Sequence, residues 1–189
     1  MEIRGRHALN DLVLHGSREI YVTDTWANQV YRFDREKRSF KQLSFHRPLL
    51  YPNGIALSDD GKLLYVADIL GVIQVDLGNN HTREVDPGRH STLAGIDGLY
   101  WYKGSLVGVQ YGNGPYRVAR WWLSPDGLKV TSSEVLEYRT PLISFPTTGA
   151  ITRGKFYFIA NTGIANYKDG KVVDSSKLEP VNIAVVPLD

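Results

Sequence analysis

Four stretches of this sequence share one layout. Each is a short apolar run opened by Asn, Asp or Thr, then a polar break, then a second apolar run closed by Asp, Gln or Asn. The first opens at Asn10-Asp11, breaks from His15 to Arg18 and closes at Asp24. The second opens at Asn53-Gly54, turns at Asp59-Asp60-Gly61 and closes at Asp68. The third runs from Asp97-Gly98 to Gln110 and the fourth from Thr148-Gly149 to Asn161, so the openings lie 43, 44 and 51 residues apart. That period is the blade repeat of a β-propeller. Runs rich in Val, Ile, Leu and Tyr, separated by Gly, Asp and Asn, read as hairpins. Third strands are expected at Val30–Phe33 and Val72–Val75. Outer strands are expected near Phe40–Leu43, Arg83–Val85, Val130–Ser132 and Ile183–Val186. No amphipathic helical stretch and no linker interrupts the series. The sequence therefore predicts a single all-β domain over 1–189, a β-propeller of four blade-like units at about 8–50, 51–94, 95–140 and 141–189.

Composition narrows the function classes. With 22 Lys+Arg against 20 Asp+Glu the net charge is +2, which gives no electrostatic footprint for nucleic acid. Cysteine is absent, which excludes disulfides, thiolate-bound zinc and a thiol nucleophile. No apolar run approaches the roughly 18 residues of a membrane span. The opening MEIRGRHALND is charged where a signal peptide would be apolar. The expectation is a chain without a membrane partner, cytoplasmic by default.

Propeller geometry gathers the two ends of each layout. The first strand of a blade lines the central channel and the second runs antiparallel to it. The start of one therefore lies beside the end of the other, at one channel mouth. Asn10, Asn53, Asp97 and Thr148 open the first strands; Asp24, Asp68, Gln110 and Asn161 close the second. Oxygen-bearing side chains of this kind suit a hard cation such as calcium or magnesium. The alternative is local: Asn-Gly and Asp-Gly are turn dipeptides, and an Asx side chain often caps its own backbone. Among the five histidines, His15, His46 and His81 read as solvated, while His7 and His90 precede mouth residues. No zinc spacing of histidines and no Gly-x-Ser-x-Gly elbow occurs. Gly112-Asn113-Gly114-Pro115 lacks the Lys-Ser/Thr end of a phosphate-cradling loop. Trp121, Trp122 and Tyr116 read as blade packing.

The stretches LNDLVL (9–14), YPNGIALSDDGKLLYVAD (51–68) and GIDGLY (95–100) resemble the gluconolactonase and regucalcin (senescence marker protein) family of six-bladed propellers. Paraoxonase, a related calcium-dependent lactonase, is similar around Asn10-Asp11 and Pro52-Asn53-Gly54. The resemblance implies a divalent metal held by Asn10, Asn53 and Asp97, with calcium foremost and zinc, manganese or magnesium as alternatives. It implies hydrolysis of a small-molecule lactone or ester, the metal stabilising charge on oxygen and Asp97 doubling as candidate general base. Asp24, Asp68, Gln110, Tyr111 and Asn161 are candidate substrate contacts at the mouth. Family members draw a further Glu ligand from an earlier blade, and Glu2 has the wrong context for it. By that comparison the sequence matches the last four of six blades. Two other functions fit the repeat equally: a binding scaffold of the NHL-repeat kind, or an inactive remnant. Open blade edges would then invite self-association.

Overall fold

The computed structural model describes residues 5–112 and 114–189. Glu2, and Asn113 of the Gly-rich loop, lie outside the described residues. The first blade is the sheet β1 (Leu9–His15), β2 (Glu19–Asp24), β3 (Gln29–Asp34) and β4 (Ser39–Gln42), each strand pairing with the next. The second is β5 (Ile55–Leu57), β6 (Leu63–Ala67), β7 (Val72–Asp76) and β8 (Thr82–Glu84). The third is β9 (Ile96–Tyr102), β10 (Ser105–Gln110), β11 (Arg117–Leu123) and β12 (Val130–Tyr138). The fourth has three strands, β13 (Gly149–Thr152), β14 (Lys155–Ile159) and β17 (Ile183–Pro187). Between β14 and β17 the chain makes an excursion carrying a two-stranded hairpin, β15 (Tyr167–Lys168) and β16 (Lys171–Val172), and two single 3-10 turns. The chain is thus an all-β propeller of four blades. The innermost strands β1, β5, β9 and β13 all contribute to the lining of one central channel.

The sequence placed most of these strands, but it did not show β11, nor the excursion that delays the last strand of the fourth blade. β11 is hard to read as a strand because RVARWWL, although bounded by Gly112–Pro115 and Ser124–Gly127, carries two arginines within an otherwise apolar run. Arg120 is accommodated by chemistry the sequence does not display. Its guanidinium donates to Ser105 Oγ and to the Leu188 carbonyl, and stacks on the rings of Tyr102 and Trp122.

Each core lies between blades rather than within one. Tyr21 and Val30 of the first blade pack on Ile55, Val66 and Ile73 of the second. Tyr65 and Val72 of the second pack on Leu106 and Trp121 of the third, where Trp121 also donates to Ser91 Oγ. Val107 and Val118 of the third pack on Phe156 and Phe158 of the fourth. A blade covered on both faces has no polar side to show. Accordingly β10 is buried at every position, and β6 and β7 nearly so. β14 instead alternates exposed and buried residues, and β1 exposed and half-buried ones, the pattern of a sheet with one covered face. Among the described residues no hydrophobic cluster joins the first blade to the fourth.

Candidate functional site

One backbone irregularity positions the channel-mouth residues, and it recurs in all four blades. Where the innermost strand begins, two of its residues stand opposite one residue of the second strand. Asn10 and Asp11 share Thr23, because the register jumps from Leu9↔Asp24 to Leu12↔Val22. Asp97 and Gly98 share Val109, between Ile96↔Gln110 and Leu99↔Gly108. Asn53 donates its N–H to the Ala67 carbonyl while Ala67 donates to that of Gly54. Thr147 and Thr148 treat Ile159 in the same way. Such bulges bend a strand and re-aim its side chains, and they are frequent beside functional sites.

The bulge makes Asn10, Asn53, Asp97 and Thr147 equivalent, so the fourth blade's counterpart is Thr147 and not Thr148. Three of the four meet. Asn53 Nδ2 donates to Asp97 Oδ1 at 2.6 Å, and Thr147 Oγ1 donates to Asp97 Oδ2 at 2.5 Å. The three blades come this close because Gly54, at the junction of the second and third, and Gly98, at that of the third and fourth, have no side chain. A Cβ on Gly54 would fall 2.5 Å from the Asp97 carbonyl oxygen and the Leu99 nitrogen. Asn10 does not join them: its amide donates to Thr25 Oγ1 at 2.9 Å on the exposed side of the first blade. The second bulge residue there is Asp11. Its carboxylate reaches toward the second blade and accepts from the N–H of Ile55 at 3.2 Å, and of Leu12 at 2.8 Å. Thr148 pairs with Tyr100 Oη at 2.7 Å.

Electrostatically the site is short of positive charge. Burial pushes the Asp97 carboxyl above its ordinary value, only partly offset by the donors Thr147 and Asn53, and among the described residues no cation stands beside it. Burial also raises Asp11, against two backbone donors, and the charge of Asp97 adds to the rise. Burial likewise raises the phenols of Tyr100 and Tyr111. Asn53, Asp97, Tyr51, Ile69 and Tyr111 line a cavity of about 230 Å³.

The residues that close the second strands have another occupation. Asp24 is fully buried and accepts from the N–H of Ala8 and Ala27, with His7 Nδ1 2.6 Å from its second oxygen. Burial opposes ionisation of Asp24, but these donors bring its carboxyl below the usual range. Asp68 borders the cavity, yet its carboxylate accepts from the N–H of Leu50, Leu70 and Gly71 and is gripped by Arg47 at 2.5 Å. Gln110 donates to the carbonyls of Thr92 and Ala94 and accepts from Arg117 Nε. Asn161 donates to the Pro180 carbonyl and accepts from the N–H of Asn182. Asp24, Asp68, Gln110 and Asn161 therefore staple the mouth loops to the second strands, which is the capping role of Asx and amide side chains. Of the five candidate substrate contacts, Tyr111 alone presents itself to the cavity without such a task. Sequence reasoning missed Thr147 and Asp11. The available signal was the paired opening Asn-Asp, Asn-Gly, Asp-Gly and Thr-Thr, two residues per blade where one was counted.

Among the described residues no group of three or more His, Cys, Asp or Glu is arranged to hold a metal ion. A cation at this mouth would rest on Asp97 with neutral oxygens. Among the described residues neither Asp97 nor Asp11 has a positive partner, and a buried unpaired charge is costly. That deficit fits a hard cation better than an anionic ligand.

Comparison with protein-family profiles gives no match, and comparison with curated proteins gives no relative. Solved structures do match. A chain of a nidogen/laminin complex superposes with a TM-score of 0.66 at 15% identity, over 82% of this chain and 57% of that one. Catalytically inactive virginiamycin B lyase from Staphylococcus aureus, with quinupristin, gives 0.60 at 17%, over 96% and 56%. Luciferin-regenerating enzyme gives 0.61 at 15%, over 96% and 61%. The chain thus spans a little over half the length of each. At these identities the likeness is one of propeller fold, shared by enzymes and by a protein complex.

Proposed function

We propose that the channel mouth is a cation-assisted hydrolytic site for a small lactone or ester. The observation that carries this reading is the contact of Asn53 and Asp97, equivalent bulge residues of consecutive blades. They meet at a buried, positively unpaired carboxylate on the wall of a cavity. A divalent cation bound there, calcium foremost, would supply Lewis acidity toward the substrate's carbonyl oxygen. Asp97 would be its anionic ligand and Asn53 a neutral one. Asn10 would be the third, on giving up its bond to Thr25 Oγ1. Thr147 holds the second oxygen of Asp97 and fixes the carboxylate's orientation. The raised affinity of Asp97 for a proton favours it as acceptor from water, since a general base works best when its pKa approaches the working pH. A bound cation would draw that pKa down again, so ligation and proton transfer compete at this one residue. Tyr51, Ile69 and Tyr111 give the cavity an apolar wall for the substrate's carbon frame.

A second reading, a binding scaffold, is favoured by the single carboxylate of the donor set and by the turned-away amide of Asn10. Calorimetric titration with calcium, paired with hydrolysis of simple lactones in added calcium, zinc or manganese, separates the two. The hydrolase reading expects saturable 1:1 binding and turnover, both lost in Asp97→Ala. Binding without turnover favours the scaffold, and an Asp97→Ala variant that retains both removes the site.

A further inference from the structure

The face of the first blade turned away from the second is largely apolar and exposed along its innermost strand. Its rows read Leu12-Val22-Tyr31-Gln42 and Leu14-Ile20-Phe33-Phe40 across the sheet, with Tyr31 alone of them buried. Leu12 is 55% and Leu14 58% exposed, and Phe40 closes over Phe33 and Tyr31. The far face of the fourth blade is alike, with Ala150-Tyr157-Val185 in one row and Ile159-Ile183 in the next. Val185 is 49% and Ile183 62% exposed.

Counting from the bulge shows what kind of faces these are. Leu12, Val22 and Tyr31 hold the places that Ile55, Val66 and Ile73 hold in the second blade, whose job is to pack on the blade before. Ala150, Tyr157 and Ile183 hold the places of Ala56, Tyr65 and Val72, whose job is to pack on the blade after. One free face is therefore a socket and the other its plug, of the types that mate three times within the chain.

The area agrees. The chain exposes 11065 Å². A folded protein of 21.2 kDa is expected to expose about 9,100 Å². The excess, about 2,000 Å², is what two faces of about 1,000 Å² each would withdraw from water, enough for a standard-size contact at either end. Exposed apolar faces of this extent mark interaction surfaces.

We propose that the outer face of the fourth blade docks on the outer face of the first blade of a second copy of this chain, head to tail. Because the faces differ, the contact is heterologous and each copy keeps one free face unless the assembly closes on itself. The inference is independent of the chemistry at the channel mouth.

The test uses one charge-blocked variant per face, Leu14→Lys and Val185→Lys, both at exposed positions, with circular dichroism confirming native strand content. In analytical ultracentrifugation the unmodified chain is expected above 21.2 kDa, its weight-average mass rising with concentration. Each variant alone should associate at least tenfold more weakly than the unmodified chain in dilute solution, since one half of the contact is gone. Mixed in equal amounts they should pair, each offering the face the other lacks, as a species of twice the monomer mass. Three results overturn the proposal: an unmodified chain that stays monomeric across concentrations, a single variant that dimerises as tightly as the unmodified chain, and a mixture that does not pair. The first would mean that something other than a second copy covers these faces, and the second that like faces pair with like. The first result does not depend on how either variant folds.

Discussion

Burial disfavours the ionised form of Asp97 by more than its two neutral donors, Thr147 and Asn53, restore, and among the described residues no cation faces it. The unfolded chain ionises this carboxyl at a lower pH than the folded one. The folded state therefore loses stability as pH rises from 3.8 through the raised value, and Asp11 acts in the same sense. In the absence of metal, Asp97→Asn is expected to be no less stable than the unmodified chain at pH 7, and to lose that part of the pH dependence. Urea unfolding at pH 4 and pH 7 checks both. Such a result would mark the residue as kept at a cost to stability. Arg47 has the opposite character. It binds the wholly buried Asp68 and also Glu84, tying the loop before the second blade to its strands. Removing one partner of a buried pair costs about 3–5 kcal/mol, and the partial exposure of Arg47 puts Arg47→Ala near the lower end, at about 3 kcal/mol. The denaturant midpoint measures it. At this scale the sequence showed which residue types open each blade but not which way they turn. Asn10 looked like Asn53 in context, and only the position of Thr25 Oγ1 separates them. Asp24, Asp68, Gln110 and Asn161 looked like site residues because they close the second strands at the channel mouth, and the sequence does not display the loop groups they bond, as with the Asn161–Asn182 bond.

The bulge at the start of each innermost strand is the element on which the site depends. It sets Asn53, Asp97 and Thr147 side by side and leaves no room where the strands cross. The atoms that a side chain on Gly54 would strike are backbone atoms of β9 and its approach, which cannot rotate aside. Gly54→Ala is expected to cost about 3 kcal/mol, the upper end for overpacking. It should also part Asn53 from Asp97, so calcium affinity should fall along with the melting temperature. Loss of stability with unchanged calcium binding would separate the bulge from the site. Strand placement was legible because runs of Val, Ile, Leu and Tyr and the Asp/Asn/Gly breaks between them are local. The bulges were not, since a bulge is a relation between two strands and leaves only a doublet of polar or small residues behind. The outer strand of the fourth blade was visible as IAVV, but its distance from β14 was not, because the hairpin of β15 and β16 is built from polar and lysine-rich residues without a repeat.

At the scale of the molecule, three apolar junctions are closed and two faces of matching type are open. If a second copy covers them, folding and association are linked, and the unfolding midpoint becomes concentration-dependent. Differential scanning calorimetry at two protein concentrations tenfold apart should show a higher melting temperature in the more concentrated sample. The Val185→Lys chain should show none of that increment. The four-blade layout was legible from spacing alone, and open blade edges were expected from it, but which residues lie on the open faces was not. Leu12, Leu14 and Ile183 read like any strand residues until the neighbour that would cover them is seen to be missing. The fourth blade also carries a consequence for how the molecule is made. The first three blades are each continuous in sequence, so each can assemble as it leaves the ribosome, in the amino-to-carboxyl order usual for nascent chains. The fourth waits for β17, which inserts beside β14 only after the excursion has been synthesised. Residues beyond it fasten the result: Arg120 takes the Leu188 carbonyl, and Tyr102 and Lys103 take the Asp189 carboxylate. A chain without β17 and the residues after it would keep three finished blades and a stranded hairpin, with Phe156 and Phe158 packed on the third blade but stripped of Val186 and Leu188.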